Sequence, residues 1–128
     1  MKSKDITYFK DRLIKEKATL EEELKSVGRI NPENPSDWEA TVDDSDVDSA
    51  DENEVADKME ELVEHKAILT QLEKQLGEVH NALERIEQGK YGICEVSGEE
   101  IERERLEANP SARTSIKHLR DLEGLKKN

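Results

Sequence analysis

The stretch LVEHKAILTQLEKQLGEVHNALERI (residues 62–86) repeats apolar residues at alternating spacings of three and four. Such spacing places the side chains on one face of an α-helix and forms a heptad seam. With Gly89 as a C-cap, the pattern predicts a helix from about Asp51 to Gln88. The seam comprises Val55, Met59, Leu62, Leu69, Leu72, Leu76, Val79, Leu83 and Ile86.

A second apolar seam precedes this one and predicts a helix over residues 4–27, which ends at Gly28. It comprises Ile6, Phe9, Leu13, Leu20, Leu24 and Val27. Two such seams in a short chain predict an all-α fold, an antiparallel coiled-coil hairpin formed by a monomer. The alternative is a homodimeric coiled-coil adaptor that mates through Leu69, Leu76 and Leu83, and a dimeric mass in solution would favour it.

The intervening residues 28–50 hold two of the three prolines, the single tryptophan and an acidic run. This composition predicts a loop. Ser36 and Glu39 resemble a capping box that starts one helical turn at Asp37. The first helix is too short to reach the far end of the second, so we expect the loop to continue along it with Trp38 packed on the long helix.

Charge is distributed unevenly along the 128 residues, of which 41% are charged, 33% hydrophobic and 3% aromatic. Residues 30–62 carry one lysine and thirteen acidic groups, which accounts for the whole net charge of −12. Nucleic-acid phosphates repel such a chain, so we expect no direct DNA or RNA binding. A partner with a basic surface or a bound cation is favoured instead.

Other classes of protein have little support in the sequence. No stretch has the length of a membrane span or the apolar core of a signal peptide, so we expect a cytoplasmic protein. No phosphate loop, nucleophile elbow or metal triad is present, so we expect no enzymatic activity. The acidic run from Asp44 imitates a calcium loop but has Ser49 and Val55 where glycine and glutamate are needed. His65 and His80 lie off the seam and are interpreted as surface residues.

The chain beyond Gly89 loses helical periodicity, although a short helix is predicted over 116–125. Four positions there have the spacing of a structural zinc site: Cys94, Ser97, Ser115 and His118. Only Cys94 and His118 are competent ligands, because a serine hydroxyl does not ionise near neutral pH. We therefore expect no structural zinc; the alternative is a weak site at Cys94 and His118. Without the metal, the knuckle is expected to be held by the packing of Tyr91, Ile93, Ile101, Leu106, Ile116 and Leu119.

The same region resembles the C-terminal zinc finger of the DksA/TraR family. The family pattern runs YG-x-C-x-x-C-G-x-x-I, then RLEA-x-P-x-A, then C-x-x-C or C-x-x-H. The matching residues are Tyr91, Gly92, Cys94, Gly98, Ile101, Arg105, Leu106, Glu107, Ala108, Pro110, Ala112 and His118. The chain departs from the pattern at Ser97 and Ser115. The resemblance divides it into a helical hairpin with an acidic tip (1–88) and a degenerate finger with a C-terminal helix (89–128).

This resemblance implies a regulator of bacterial RNA polymerase that inserts the hairpin through the secondary channel, with its acidic tip near the catalytic magnesium. The tip motif of the family, D-x-x-D-x-A, falls at Asp51, Glu54 and Ala56 in the stretch DENEVA, with Glu54 in place of the second aspartate. Family members that respond to the alarmone ppGpp use basic residues, whose counterparts here fall at Glu78, Asn109 and Leu119. A nucleotide with four phosphates needs several positive charges, so we expect this response to be weak or absent.

Overall fold

The computed structural model describes residues 1–42 and 52–118. Two long helices dominate it, and both lie within one residue of their predicted bounds. The elements are α1 (Ser3–Val27), strands β1 (Gly28–Asn31) and β2 (Asn34–Ala40), α2 (Glu52–Glu87), α3 (Arg103–Ala108) and a 3-10 turn (Ile116–His118). The chain forms two compact units, Met1–Lys17 with the chain from Gly77 onward, and Ala18–Leu76.

The apolar seam of α1 is buried as its spacing predicts. Phe9, Leu13 and Leu24 are fully buried, Leu20 and Val27 are nearly so, and Ile6 is half-buried. Burial of one such side chain stabilises the fold by about 1.5–3 kcal/mol relative to exposure. Exposed Lys, Glu and Thr side chains occupy much of the opposite face.

The seam of α2 is buried along only part of its length. Burial in the described part of this helix begins at Leu69 and continues through Leu72, Leu76, Val79 and Ala82, while Leu83 and Ile86 are half-buried. Met59 and Leu62 were predicted to share this seam but are 65% and 39% exposed. The heptad spacing continues through Met59 and Leu62, but α1 ends at Val27 and is followed by β1, so the first helix has no further residues to pack against them.

The segment after α1 is a β-hairpin, so the predictions of an all-α fold, of a loop over the first part of residues 28–50 and of a helical turn at Asp37 are wrong. Residues 43–50 of the predicted loop lie outside the described residues. β1 and β2 pair in antiparallel fashion, with Gly28 opposite Ala40 and Ile30 opposite Trp38. The prolines that suggested a loop lie in the tight connection and near the start of β2, where a missing N–H is tolerated. Arg29 and Glu39 also pair across the strands at 2.7 Å.

The hairpin lies against α2 within the unit Ala18–Leu76. The Trp38 amide donates a hydrogen bond to the Glu73 carboxylate at 3.0 Å, and the Trp38 side chain is half-buried. His65 Nδ1 lies 2.6 Å from the Thr41 carbonyl oxygen. His65 is half-buried and therefore less exposed than expected, whereas His80 is exposed as expected. No helix in residues 1–42 or 52–118 has the length and apolar character that a membrane crossing requires.

Candidate functional site: the acidic end of α2 and the knuckle

The N-terminal end of α2, residues 52–64, carries six acidic residues and one lysine; we call it the acidic end. Glu54 and Ala56, two of the three predicted tip positions, are exposed near the start of the helix. Asp51, the third position, lies outside the described residues, and so does most of the acidic run that imitates a calcium loop. Carboxylates near a helix N-terminus are favoured by the positive end of the helix dipole.

The acidic end also exposes apolar side chains, of which one fits the heptad spacing of the seam and one does not. Met59 and Val63 are 65% and 68% exposed and line a shallow depression with Glu60 and Glu64. The heptad pattern included Met59 but predicted that it is buried, whereas it is exposed. Nothing in the pattern marked Val63.

The knuckle, residues 89–118, opens with a tight turn between Gly92 and Ile101. The Cys94 amide donates to the Glu99 carbonyl and the Ile101 amide donates to the Gly92 carbonyl, both at 2.8 Å. Gly92 and Gly98 have φ angles of 79° and 74°, a left-handed conformation that favours glycine. The glycines of the sequence motif therefore serve the backbone path of this turn.

Apolar packing fills the knuckle interior. Tyr91, Ile101 and Leu106 are buried as expected, and the Tyr91 ring lies 6.1 Å from the ring of Phe9 in α1. The Tyr91 hydroxyl donates to the Pro110 carbonyl at 2.7 Å, and burial raises the pKa of Tyr91 to about 12. The expectation that Ile93 and Ile116 join this core is wrong, because they are 40% and 62% exposed.

Charged and aromatic side chains join α3 of the knuckle to α1. Arg103 pairs with Asp5 at 2.6 Å, and this hydrogen bond lowers the pKa of the Asp5 carboxyl. Tyr8 and Arg12 both donate to the Glu107 carboxylate, at 3.0 and 3.1 Å. The Arg103 guanidinium also lies 5.7 Å from the centre of the Tyr8 ring. Exposed ion pairs contribute little singly, so this group acts mainly by orienting α3.

The Cys94 thiol is 1% exposed and hydrogen-bonded by the serines at the other predicted ligand positions. Burial alone raises the pKa of this thiol. Hydrogen bonds from the Ser97 hydroxyl and amide, and from the amides of Ser115 and Val96, outweigh burial and lower the pKa to about 6. The structure thus brings Cys94, Ser97 and Ser115 together. The spacing of these positions in the sequence did not reveal the hydrogen bonds to the thiol.

The donor atoms in the knuckle do not fit a four-ligand zinc site. The neutral Ser97 hydroxyl interacts with the Cys94 thiol and accepts from the Glu99 amide at 3.3 Å. His118 is half-buried, and its amide donates to the Ser115 carbonyl at 3.1 Å. One thiol, one imidazole and two hydroxyls supply too few anionic or imidazole donors for structural zinc. Residues 1–42 and 52–118 contain no group of three or more His, Cys, Asp or Glu side chains that could hold a metal ion.

The positions expected to correspond to the ppGpp contacts are only partly described. Glu78 is half-buried on α2, and Asn109 follows α3, where its side-chain oxygen accepts from the Ser111 amide at 3.1 Å. Leu119 lies outside the described residues, as does the predicted C-terminal helix beyond the turn Ile116–His118. Neither described position supplies a positive charge.

Comparison with known proteins identifies the family that the knuckle sequence resembles. Residues 89–117 match the profile of the prokaryotic dksA/traR C4-type zinc finger, although only Cys94 of its four cysteines is present. The chain is 48% identical over 69 residues to the uncharacterized protein YteA of Bacillus subtilis, a match that covers 52% of this chain and 29% of that protein. The chain thus spans under a third of the first curated relatives that it matches.

Two further matches extend over nearly the whole chain. The structure of transcription factor DksA2 from Pseudomonas aeruginosa superposes with a TM-score of 0.72 at 22% identity, covering 100% of this chain and 90% of that one, which establishes a likeness of fold. The RNA polymerase-binding transcription factor DksA of Caulobacter vibrioides is 30% identical over 118 residues, which cover 91% of this chain and 74% of that protein. The chain therefore belongs to the DksA/TraR family.

Proposed function

We propose that this protein binds bacterial RNA polymerase through the secondary channel and modulates transcription without binding DNA. The observation that carries the proposal is the match along 91% of the chain to a DksA named as RNA polymerase-binding. That relative is named as a transcription factor and not as an enzyme. The concentration of acidic groups in residues 30–62 supports a protein partner over nucleic acid. The proposal implies a cytoplasmic location.

The reach into the channel would come from an antiparallel hairpin of α1 and α2. Each compact unit holds part of both helices: Lys10 pairs with Glu87 at 3.5 Å in one, and Gly28 approaches Leu69 in the other. Lys10 near the start of α1 thus meets the end of α2, and Gly28, which directly follows α1, meets an earlier residue of α2, as an antiparallel arrangement requires. Leu69 and Leu76 are buried within the chain, which supports a monomer over the homodimeric adaptor.

The acidic tip at Asp51, Glu54 and Ala56 is proposed to act beside the catalytic centre of the polymerase. Glu54 and Ala56 are exposed at the start of α2, as such a contact demands. A glutamate in place of the family aspartate keeps the charge on a longer side chain. The response to ppGpp is proposed to be weak or absent, since Glu78 and Asn109 offer no positive charge to its phosphates.

Transcription in vitro with purified polymerase tests both parts of the proposal. We expect the native chain to co-purify with polymerase and to alter the yield of transcript. The double substitution Asp51→Ala/Glu54→Ala should bind but lose most of this effect. As a matched control, Glu22→Ala/Glu23→Ala removes two exposed carboxylates from α1 and should behave like the native chain. Lack of polymerase binding at micromolar concentration would contradict the proposal, and an unchanged effect of the tip variant would contradict the tip assignment.

The knuckle is proposed to be free of metal. Cys94 retains its place in the turn because Ser97 and Ser115 supply hydrogen bonds to its sulfur, and the buried Tyr91, Ile101 and Leu106 supply packing. Elemental analysis of the purified protein should find far less than one zinc per chain. The variant Ser97→Cys/Ser115→Cys restores three thiols and one imidazole at these positions and should bind about one zinc. One tightly held zinc in the native protein would refute the metal-free knuckle.

A further inference from the structure

Three large apolar side chains are exposed close together on the acidic end of α2. Met59, Leu62 and Val63 are 65%, 39% and 68% exposed. Side chains three and four residues apart lie side by side on a helix, so the three form one continuous surface. We call Met59, Leu62 and Val63 the apolar patch. It contrasts with α2 from Leu69 onward, where the corresponding seam is buried.

The charges around the apolar patch restrict what can cover it. Glu60 and Glu64 line the same depression as Met59 and Val63. A second copy of this chain would bring the same carboxylates to the contact. Residues 43–51, which precede α2 in the sequence, carry five aspartates and no basic group. Like charges brought together in an interface are unfavourable. This disfavours both a second copy of the chain and residues 43–51 as the molecule or segment that covers the apolar patch. A partner with basic groups around an apolar contact complements the surface.

We propose that the apolar patch is a contact surface for RNA polymerase, binding a basic wall of the enzyme with an apolar side chain at its centre. This inference rests on the proposed function and adds a binding determinant to it. Ala56 lies three residues before Met59, so the patch continues directly from the proposed tip along one side of α2. Met59, Leu62 and Val63 supply affinity, and Glu60 and Glu64 guide approach to the basic surface.

The substitution Met59→Gln/Val63→Gln tests this contact while it leaves Asp51, Glu54 and Ala56 intact. Glutamine keeps helix propensity and adds no charge. The dissociation constant for purified polymerase should rise at least about tenfold, as for truncation of central interface residues. Ile14→Gln is the control, because Ile14 is 47% exposed on α1 and stands outside both the tip and the apolar patch. It should change the dissociation constant less than about twofold. Circular dichroism checks that both variants keep native helix content.

The outcomes separate this inference from the function on which it rests. If the native chain and Met59→Gln/Val63→Gln bind polymerase equally, the contact surface is refuted and the proposed function stands. If the native chain does not bind polymerase, both fail. Sedimentation of the native chain alone tests the remaining occupant: a dimer that the double substitution dissociates would assign the apolar patch to a second copy and overturn the proposal.

Discussion

The knuckle and the acidic end of α2 each lack a stabilising interaction that the sequence pattern suggests. The knuckle lacks a complete set of zinc ligands and the acidic end lacks a packed seam, but only the knuckle has buried side chains in their place. The knuckle lacks two zinc ligands, yet Leu106 is fully buried and Cys94 is hydrogen-bonded by the serines at the lost positions. The acidic end lies beyond the part of α2 that packs as a seam, and residues 52–68 include no buried side chain. The first region supplies its own stability. The second leaves its apolar side chains exposed, which is the expected state of a surface that another molecule covers.

The largest effect should come from truncating matched leucines in the two regions. Leu106→Ala removes a fully buried side chain from the knuckle and should lower the free energy of unfolding by about 2–5 kcal/mol. Leu62→Ala, at a residue that is 39% exposed, should cost less than about 1 kcal/mol. Urea denaturation followed by circular dichroism measures both. Similar decreases in the free energy of unfolding for the two variants would show that side chains of the acidic end are packed as well as those of the knuckle.

The helices could be predicted because heptad spacing depends on local geometry alone. The same spacing could not show where burial stops, since Met59 and Leu69 fit one pattern equally well. Burial depends on what lies opposite, and β1 begins at Gly28. The β-hairpin was missed because Pro32 and Pro35 favour a loop. Their position in the connection and at the start of β2 depends on pairing between residues that local spacing does not reveal, such as Ile30 with Trp38.

A glycine substitution can locate the point at which α2 gains support. A Cβ atom at Gly28 would meet the Glu39 carbonyl oxygen and lie 2.6 Å from Leu69 Cδ1, the first buried side chain of the described α2. Gly28→Ala should therefore destabilise the protein by about 1–3 kcal/mol in thermal or urea unfolding. Gly77→Ala is the control, because nothing lies within 4 Å of the added atom. It should stabilise α2 by about 0.5–1 kcal/mol. If Gly28→Ala left the free energy of unfolding unchanged, the close contact between Gly28 of the hairpin and Leu69 of α2 would be refuted.

The sequence predicted which residue types occupy the candidate site, but not which of these residues contact one another. Four spaced positions identified the knuckle and the two serines that cannot bind zinc. The spacing did not reveal that these serines contact the remaining cysteine. The Ser97 contact depends on the backbone turn between Gly92 and Ile101, and the Ser115 contact depends on the hydrogen bond from the Glu95 amide to the Arg113 carbonyl, which holds the later segment beside that turn. The tip positions rested on the family motif, and of these the structure describes Glu54 and Ala56.

Titration of Cys94 tests whether hydrogen bonds to its thiol stabilise the turn between Gly92 and Ile101. The pKa of its thiol is lowered from 9.0 to about 6, so ionisation stabilises the folded state. That contribution is fully present above the ordinary thiol pKa, declines as pH falls and is lost below about 6. Thiolate absorbance at 240 nm, measured with chelator present, should rise with a midpoint near pH 6.

Two variants give this titration its control. Ser97→Ala removes the side-chain hydrogen bond and should move the midpoint upward. Ser26→Ala removes a hydroxyl that bonds the Glu23 carbonyl in α1, and it should leave the midpoint unchanged. A native midpoint near the ordinary thiol value would contradict the hydrogen-bonded thiolate.

The smallest effect concerns a polar atom that the knuckle leaves without a partner. Thr114 is fully buried, and its hydroxyl has no hydrogen-bond partner among the residues that the structure describes. Because a buried unpaired hydroxyl is costly, Thr114→Val should leave the free energy of unfolding unchanged or raise it by up to about 1 kcal/mol. Thr114→Ser keeps the hydroxyl and loses a methyl group, so it should destabilise by about 1 kcal/mol. A loss of more than about 1 kcal/mol in the valine variant would instead indicate that the hydroxyl binds a buried water. The knuckle would then be stabilised by polar contacts as well as by packing.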